Sequence, residues 1–308
     1  MNYFDLHCDT LYEMYEKNSG FYESGSAVSF ENAAVFDKYA RVMAIWTKSG
    51  ISDDEAYSRY KKILAHARGN KTENIAFCRT SAEMTAAFCE KKIPVILAVE
   101  GASLLGGDIG RLDELYCDGV RFLTLTWKNS DCVGGAWNTS DGLTSFGREV
   151  VKRCASLGVA VDVSHSSRQT AAETFALADE CGAKVIATHS NAYSACAHGR
   201  NLTDEEAESI AARGGLIGIS LVPDHLKEGG DADISDVVRH VCRYLDLGLE
   251  NSICIGADFD GVVRLPLGIS DERDILKVDD ALADAGISAS VREKIFFENA
   301  FNYVLKNM

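Results

Sequence analysis

Eight short apolar runs, separated by stretches of helical pattern, constrain this chain more than any other feature of its sequence. The runs are Phe4–Cys8, Ala40–Trp46, Pro94–Glu100, Val120–Trp127, Val159–Ser164, Lys184–Thr188, Leu216–Val222 and Ser252–Ala257. They are rich in Val, Ile and Leu, and most are apolar on both faces. Strands of that kind are buried on both sides, as in parallel sheets. Helical patterns cover Asp53–Arg68, Ser81–Lys91, Ser145–Leu157, Ser167–Cys181, Thr203–Arg213 and Ile234–Leu247, and Asp271–Ala285 and Ser288–Lys306 close the chain. Thr203-Asp-Glu-Glu206 reads as a capping box, and Gly158, Gly182, Gly214 and Gly248 stand where helices stop. Strand and helix in eightfold alternation predict an α/β fold, a (β/α)8 TIM barrel forming one domain over residues 1–308. An open doubly wound sheet is the alternative, but eight units in a chain of this length favour closure. The Asp9–Tyr39 segment is longer than a unit needs and reads as a short extra strand or a lid.

Charge narrows the partners. The chain has 31 Lys and Arg against 46 Asp and Glu, a net charge of −15. Such a surface repels phosphate backbones and anionic lipid, so neither nucleic acid nor membrane is expected as a partner. The ten cysteines are scattered without a CxxC pair, mostly in apolar runs, as expected of core thiols in a reducing compartment. MNYFDLHCDT has no basic region followed by an apolar one, and no run reaches the roughly 18 apolar residues of a membrane span. A soluble cytoplasmic protein is expected.

Catalytic groups of such barrels sit at the C-terminal ends of the strands. Five of the eight ends carry metal-ligand residue types: His7 and Asp9, Glu100, His165, His189, and Asp258 with Asp260. His7 and Asp9 are two apart and share a face, with Cys8 turned the other way. Glu100 follows five apolar residues, so if buried it must be paired or bound to metal. Together these groups could hold two divalent ions bridged by Glu100. Imidazole with carboxylate suits zinc best, and manganese, cobalt and iron also fit. Asp258 is placed to carry a proton between water and a leaving amine. Asp260 is a second candidate on the same face, or an Asx turn into Gly261. Arg200, eleven residues after His189, reads as a bidentate clamp for a substrate carboxylate or as a solvated cation. His198 reads as structural, His66 and His240 as surface positions, and His225 has no assigned role.

These segments resemble the membrane dipeptidase family of binuclear zinc peptidases, within the amidohydrolase superfamily. The resemblance rests on Asp5-Leu-His-Cys-Asp-Thr10, Val99-Glu-Gly101, Gly119-Val-Arg-Phe-Leu-Thr-Leu-Thr126, Asp162-Val-Ser-His165, Thr188-His-Ser-Asn-Ala-Tyr-Ser-Ala-Cys196 with Arg200-Asn201, and Gly256-Ala-Asp-Phe-Asp-Gly261. It implies a commonly dimeric (β/α)8 barrel that hydrolyses dipeptides, often with a D-residue on the C-terminal side, and in some members opens β-lactam rings. It implies two Zn2+ per chain, one on His7 and Asp9, the other on His165 and His189, with Glu100 between them. Arg200 would hold the substrate carboxylate and Asp258 would shuttle the proton. One position departs from the animal members, which place a histidine after Thr-Leu-Thr. Here it is Trp127, a pocket wall and candidate substrate contact that can donate one hydrogen bond but cannot become a cation, so oxyanion stabilisation would fall to the second ion or to another donor such as Asn129 or Asn138. Other metal-dependent amidohydrolases (a deacylase, lactonase, phosphotriesterase or β-lactam hydrolase) and a non-catalytic peptide-binding barrel are the competing readings.

Overall fold

The computed structural model describes residues 1–22, 25–48 and 50–308. Its nine strands are β1 (Tyr3–Asp5), β2 (Tyr39–Trp46), β3 (Ile75–Phe77), β4 (Ile93–Glu100), β5 (Val120–Thr124), β6 (Ala160–Asp162), β7 (Val185–Ile186), β8 (Ile217–Ile219) and β9 (Ile253–Ile255). All pairings between them are parallel, in the order β7-β6-β5-β4-β2-β1-β9-β8. A parallel bridge between Ala187 and Ile217 joins the two ends. The ring is therefore closed, a TIM barrel rather than an open sheet. Each of the eight apolar runs contributes one barrel strand. β3 is extra; it pairs only with the outer part of β4, and its three residues are too short to register as an apolar run.

Register explains why strand ends meet. Partners in a parallel ladder share a face. Ala44, Ala98, Phe122 and Ala160 lie in one row across β2, β4, β5 and β6. They pack with Phe4, Val42 and Ile96 against Phe297, Ala300, Tyr303 and Val304 near the C-terminus. Two residues further along the strands, the same face carries Trp46, Glu100, Thr124 and Asp162. An apolar layer thus lies beneath a polar one at the C-terminal mouth. Closure between β7, β8 and β9 requires two glycines. A Cβ at Gly218 or Gly256 would stand 1.8 or 1.7 Å from the Thr188 carbonyl oxygen.

Among its described residues the Asp9–Tyr39 segment forms no extra strand. It holds a helix, Thr10–Lys17, and a short helical turn, Asn32–Val35. The helix packs on Asp53–Gly69 and on β2. A further helix, Ile109–Asp118, has a clear apolar face but lacks a Ser or Thr start signal, and pattern reading passes over it. The ten cysteines are free; Cys8, Cys78, Cys154, Cys196 and Cys254 are buried, whereas Cys89 and Cys117 are exposed. Among the described residues no helix is long and apolar enough to cross a membrane.

One buried cation anchors the wall beside the first strand. Arg41 on β2 is fully buried, with Nη1 3.0 Å from Asp5 Oδ2 and Nη2 2.7 Å from Glu272 Oε2. Its guanidinium lies against the rings of Tyr3, Tyr39 and Phe259. Glu272 also accepts from the Tyr39 hydroxyl and from the backbone of Ser29. Removing the cation strands two buried carboxylates, a loss of about 3–5 kcal/mol. Arg41→Met is expected to lower stability by that amount in denaturant unfolding, whereas Arg59→Met, which removes a partly exposed pair with Glu16, should cost under about 1 kcal/mol.

Candidate metal centre

The groups expected from the strand ends meet at the mouth of the barrel. β1 breaks at Leu6, and the His7 N–H donates to Asp5 Oδ1 at 3.1 Å. The next residues interlock with the segment after β9: Asp258 N–H donates to His7 O at 3.1 Å, and Asp9 N–H to Phe259 O at 2.9 Å. Cys8 turns away, towards the Val42 carbonyl. Asp258 and His165 both occupy the left-handed backbone region, with φ of 62° and 68°. That conformation persists in non-glycine residues when surrounding bonds fix it. The His165 carbonyl is fixed by Trp137 N–H at 2.8 Å and Thr126 Oγ1 at 3.1 Å. Gly261 lets its backbone approach two carboxylates, since a Cβ there would lie 2.3 Å from Asp9 Oδ2 and 2.4 Å from Asp258 Oδ1.

Glu100 Oε1 lies 2.9 Å from His165 Nε2, 3.3 Å from His189 Nε2 and 3.7 Å from His7 Nε2. The His165 and His189 Nε2 atoms are only 2.8 Å apart. His7 Nε2 is 4.0 Å from Asp9 Oδ2 and 3.9 Å from Asp258 Oδ1. His7, Glu100 and His189 form one compact donor group; His7, Asp9 and Asp258 form another.

Burial sets the charges of this cluster. It holds His7, His165 and His189 down to about 4, with His189 adding to the effect on His7 and Arg200 on the other two. All three imidazoles are therefore neutral at pH 7. Burial and the neighbouring Glu100 push Asp9 and Asp258 well above the ordinary carboxylate range. His7 Nε2 and Asp9 Oδ1 are buried without a hydrogen-bond partner. Buried polar atoms rarely stay orphaned unless something else satisfies them. Neutral imidazole nitrogens turned towards carboxylate oxygens are a donor set for divalent cations, and the residues present fit such ions.

A cavity of about 380 Å³ opens above the cluster, lined by Asp9, Glu100, His165, Asp258 and residues of the surrounding loops. Trp127 forms part of its wall, packed against Trp46 with ring centroids 5.0 Å apart. The same pair borders a second cavity of about 370 Å³ that also reaches Glu100. Asn129 and Asn138 hydrogen-bond to each other on that far side. Asp260 lines the first cavity, but its carboxylate accepts from Thr10 Oγ1 and Ala27 N–H, each at 2.7 Å, and from Val28 N–H at 3.4 Å. It fastens the long first connection to the mouth. Arg200 is 5% exposed, so the solvated reading does not hold. Its Nη2 donates to the His189 carbonyl at 3.4 Å and its Nε has no partner. Burial pulls its guanidinium down to about 10, which leaves it a cation at pH 7.

Sequence reading missed Trp46, Tyr12 and His225 on the cavity wall. Trp46 ends β2 and follows from the same strand-end rule; Tyr12 and His225 lie on helical segments after strands and carry no such signal. His240 is not a surface residue. It is fully buried, accepting from Ala192 N–H at 3.1 Å and donating to the Leu226 carbonyl at 3.0 Å.

The membrane dipeptidase model, peptidase family M19, matches residues 1–307. The chain belongs to that family. As a member it is a metal-dependent dipeptidase. An uncharacterised Klebsiella pneumoniae protein, from the 5′ region of pqqA, is 28% identical over 260 residues, covering 80% of this chain and 93% of that one. A Rhodobacter sphaeroides metallopeptidase, solved with a phosphinate mimic of the dipeptide L-Ala-D-Ala, superposes with a TM-score of 0.91 at 23% identity, covering 100% of this chain and 99% of that one. A dipeptidase of family M19 gives the same TM-score at 24% identity, covering 100% and 98%. At these identities the structures establish the shared fold.

His240 yields a pH prediction. Burial lowers it to about 4, against about 6.5 when unfolded. The folded state disfavours its charged form, so its contribution is full above pH 6.5 and is lost as pH falls to about 4. The shift is worth about 3 kcal/mol. Urea midpoints measured across that window should fall less steeply for His240→Gln than for the native chain.

Proposed function

We propose that this chain is a binuclear zinc dipeptidase whose substrates include dipeptides with a C-terminal D-residue. The observation that carries the reading is the convergence, around Glu100, of side chains from five strand ends with orphaned buried donors among them. His7 and Asp9 would hold one ion, His165 and His189 the other, with Glu100 shared. Bound ions supply positive charge that polarises a carbonyl and acidifies water.

The remaining chemistry falls to the chain's own residues. Asp258, a buried carboxylate 3.9 Å from His7 Nε2, can take a proton from water and return it to the departing amine. Arg200 is a buried cation with a free Nε, suited to the substrate's terminal carboxylate. Trp46, Trp127 and Tyr12 form an aromatic wall beside the cluster, with Tyr12 and Trp46 centroids 4.8 Å apart. That wall bounds the cavity above the cluster. The Rhodobacter relative's L-Ala-D-Ala mimic supports a D-residue in the substrate range. The family resemblance also brings a homodimer into the proposal, and the scattered free thiols suggest a reducing, cytoplasmic setting.

The direct test is amino-acid release from L-Ala-D-Ala and L-Ala-L-Ala by the zinc-loaded protein. Silence on both with zinc bound overturns the reading. Asp258→Asn should cut turnover by about 10²-fold or more while zinc content stays unchanged. Arg200→Met should raise KM for free dipeptides about 10–100-fold, the worth of a hydrogen-bonded charge pair. The same change should leave an uncharged ester substrate little affected.

A further inference from the structure

The three clustered imidazoles turn Nε2 towards Glu100, and each Nδ1 meets an oxygen on its other side. For His165 that oxygen is the Trp127 carbonyl, 2.9 Å away. A carbonyl only accepts, so His165 carries its hydrogen on Nδ1. For His7 and His189 the partner is one shared atom. Thr188 Oγ1 lies 3.2 Å from His7 Nδ1 and 2.9 Å from His189 Nδ1.

A hydroxyl has one hydrogen and two lone pairs. The shortest contact of Thr188 Oγ1 is to Asp162 Oδ2, at 2.6 Å. That carboxylate is fully buried and surrounded by donors. Oδ1 accepts from Ser164 N–H at 2.9 Å and Thr188 N–H at 3.0 Å, and Oδ2 also accepts from Thr124 Oγ1 at 2.7 Å. A carboxylate that accepts from three other donors and donates to none takes the Thr188 hydrogen as its fourth. The two Thr188 lone pairs then accept from His7 Nδ1–H and His189 Nδ1–H, and both Nε2 lone pairs face inward.

We propose that Thr188, backed by Asp162, is a positioning residue that fixes the tautomers of two imidazoles serving different ions. His7 stands near Asp9 and Asp258, and His189 stands against His165. One hydroxyl therefore sets the presentation of a ligand at each end of the cluster, and its loss weakens both ends together. The inference rests on the metal-centre reading above, and its test separates the two.

Zinc affinity of the full chain is measured by chelator competition for the native protein, Thr188→Val and Thr188→Ser. Thr188→Val is expected to lose about 10–100-fold in affinity at both sites, the usual effect of removing a bond behind a metal ligand. Thr188→Ser keeps the hydroxyl and should bind as the native chain does. A loss confined to one site, or no loss, overturns the inference while leaving the metal centre intact. A native chain that binds no zinc overturns the metal centre itself. Long-range proton–nitrogen correlation on the native zinc-loaded chain gives a readout independent of any variant. His7 and His189 should carry hydrogen on Nδ1, and hydrogen on Nε2 of either ring overturns the proposal.

Discussion

Three neutral imidazole nitrogens face one carboxylate oxygen within 2.9–3.7 Å, and the rest of the structure is arranged to hold them there. Acceptor opposite acceptor is repulsive in a medium that screens poorly. Left alone, side chains so placed would rotate apart or take up protons. Burial makes protonation of the histidines costly, and bonds at each Nδ1 stop the rings from turning. The unfavourable arrangement is a stored affinity for positive charge.

The scaffold meets this demand twice with the same device. Asp5 sits two residues before His7, and its Oδ1 accepts from the His7 N–H and from Ala257 N–H near the end of the adjoining β9. Asp162 sits two residues before Ser164, and its Oδ1 accepts from Ser164 N–H and from Thr188 N–H beside β7. In each case a buried carboxylate pins its own strand to the next, just below the residues that would bind an ion. Below one of these carboxylates lies the Arg41 network; around the other lie Thr124 and Thr188. The barrel mouth is stiffened on two sides by a polar layer resting on an apolar one.

Much of this was legible in the sequence. The eight apolar runs predicted the barrel because their lack of alternation is a direct signature of burial on both faces. That His7, Asp9, Glu100, His165 and His189 gather in one place could be expected because strand ends can be counted without knowing the register. Pairings that span the chain could not be read in that way. Asp260 looked like a cavity ligand or a local turn, yet its partners are Thr10, Ala27 and Val28, more than 200 residues earlier. His240 looked superficial on its helix because its acceptor and donor partners, Leu226 and Ala192, belong to other segments. Arg41 gave no sign of burial, since its counterions are 36 and 231 residues away.

The first strand pairs on one side with β2 and on the other with β9, and Asp9 is bonded to the segment following β9. Residues at the start of the chain thus wait for residues near position 258 before their surroundings exist. During synthesis the ribosome would release His7 and Asp9 long before the last strand. For that interval His7, Asp9 and Glu100 have no shared enclosure, and strands from the middle of the chain must tolerate an open edge. Pairing of β1 with β9 is what brings His7 and Asp9 against Asp258. The half of the cluster around His165, His189 and Glu100 is thus built from the middle of the chain alone, whereas the half around His7 and Asp9 gains Asp258 only when β9 takes its place beside β1.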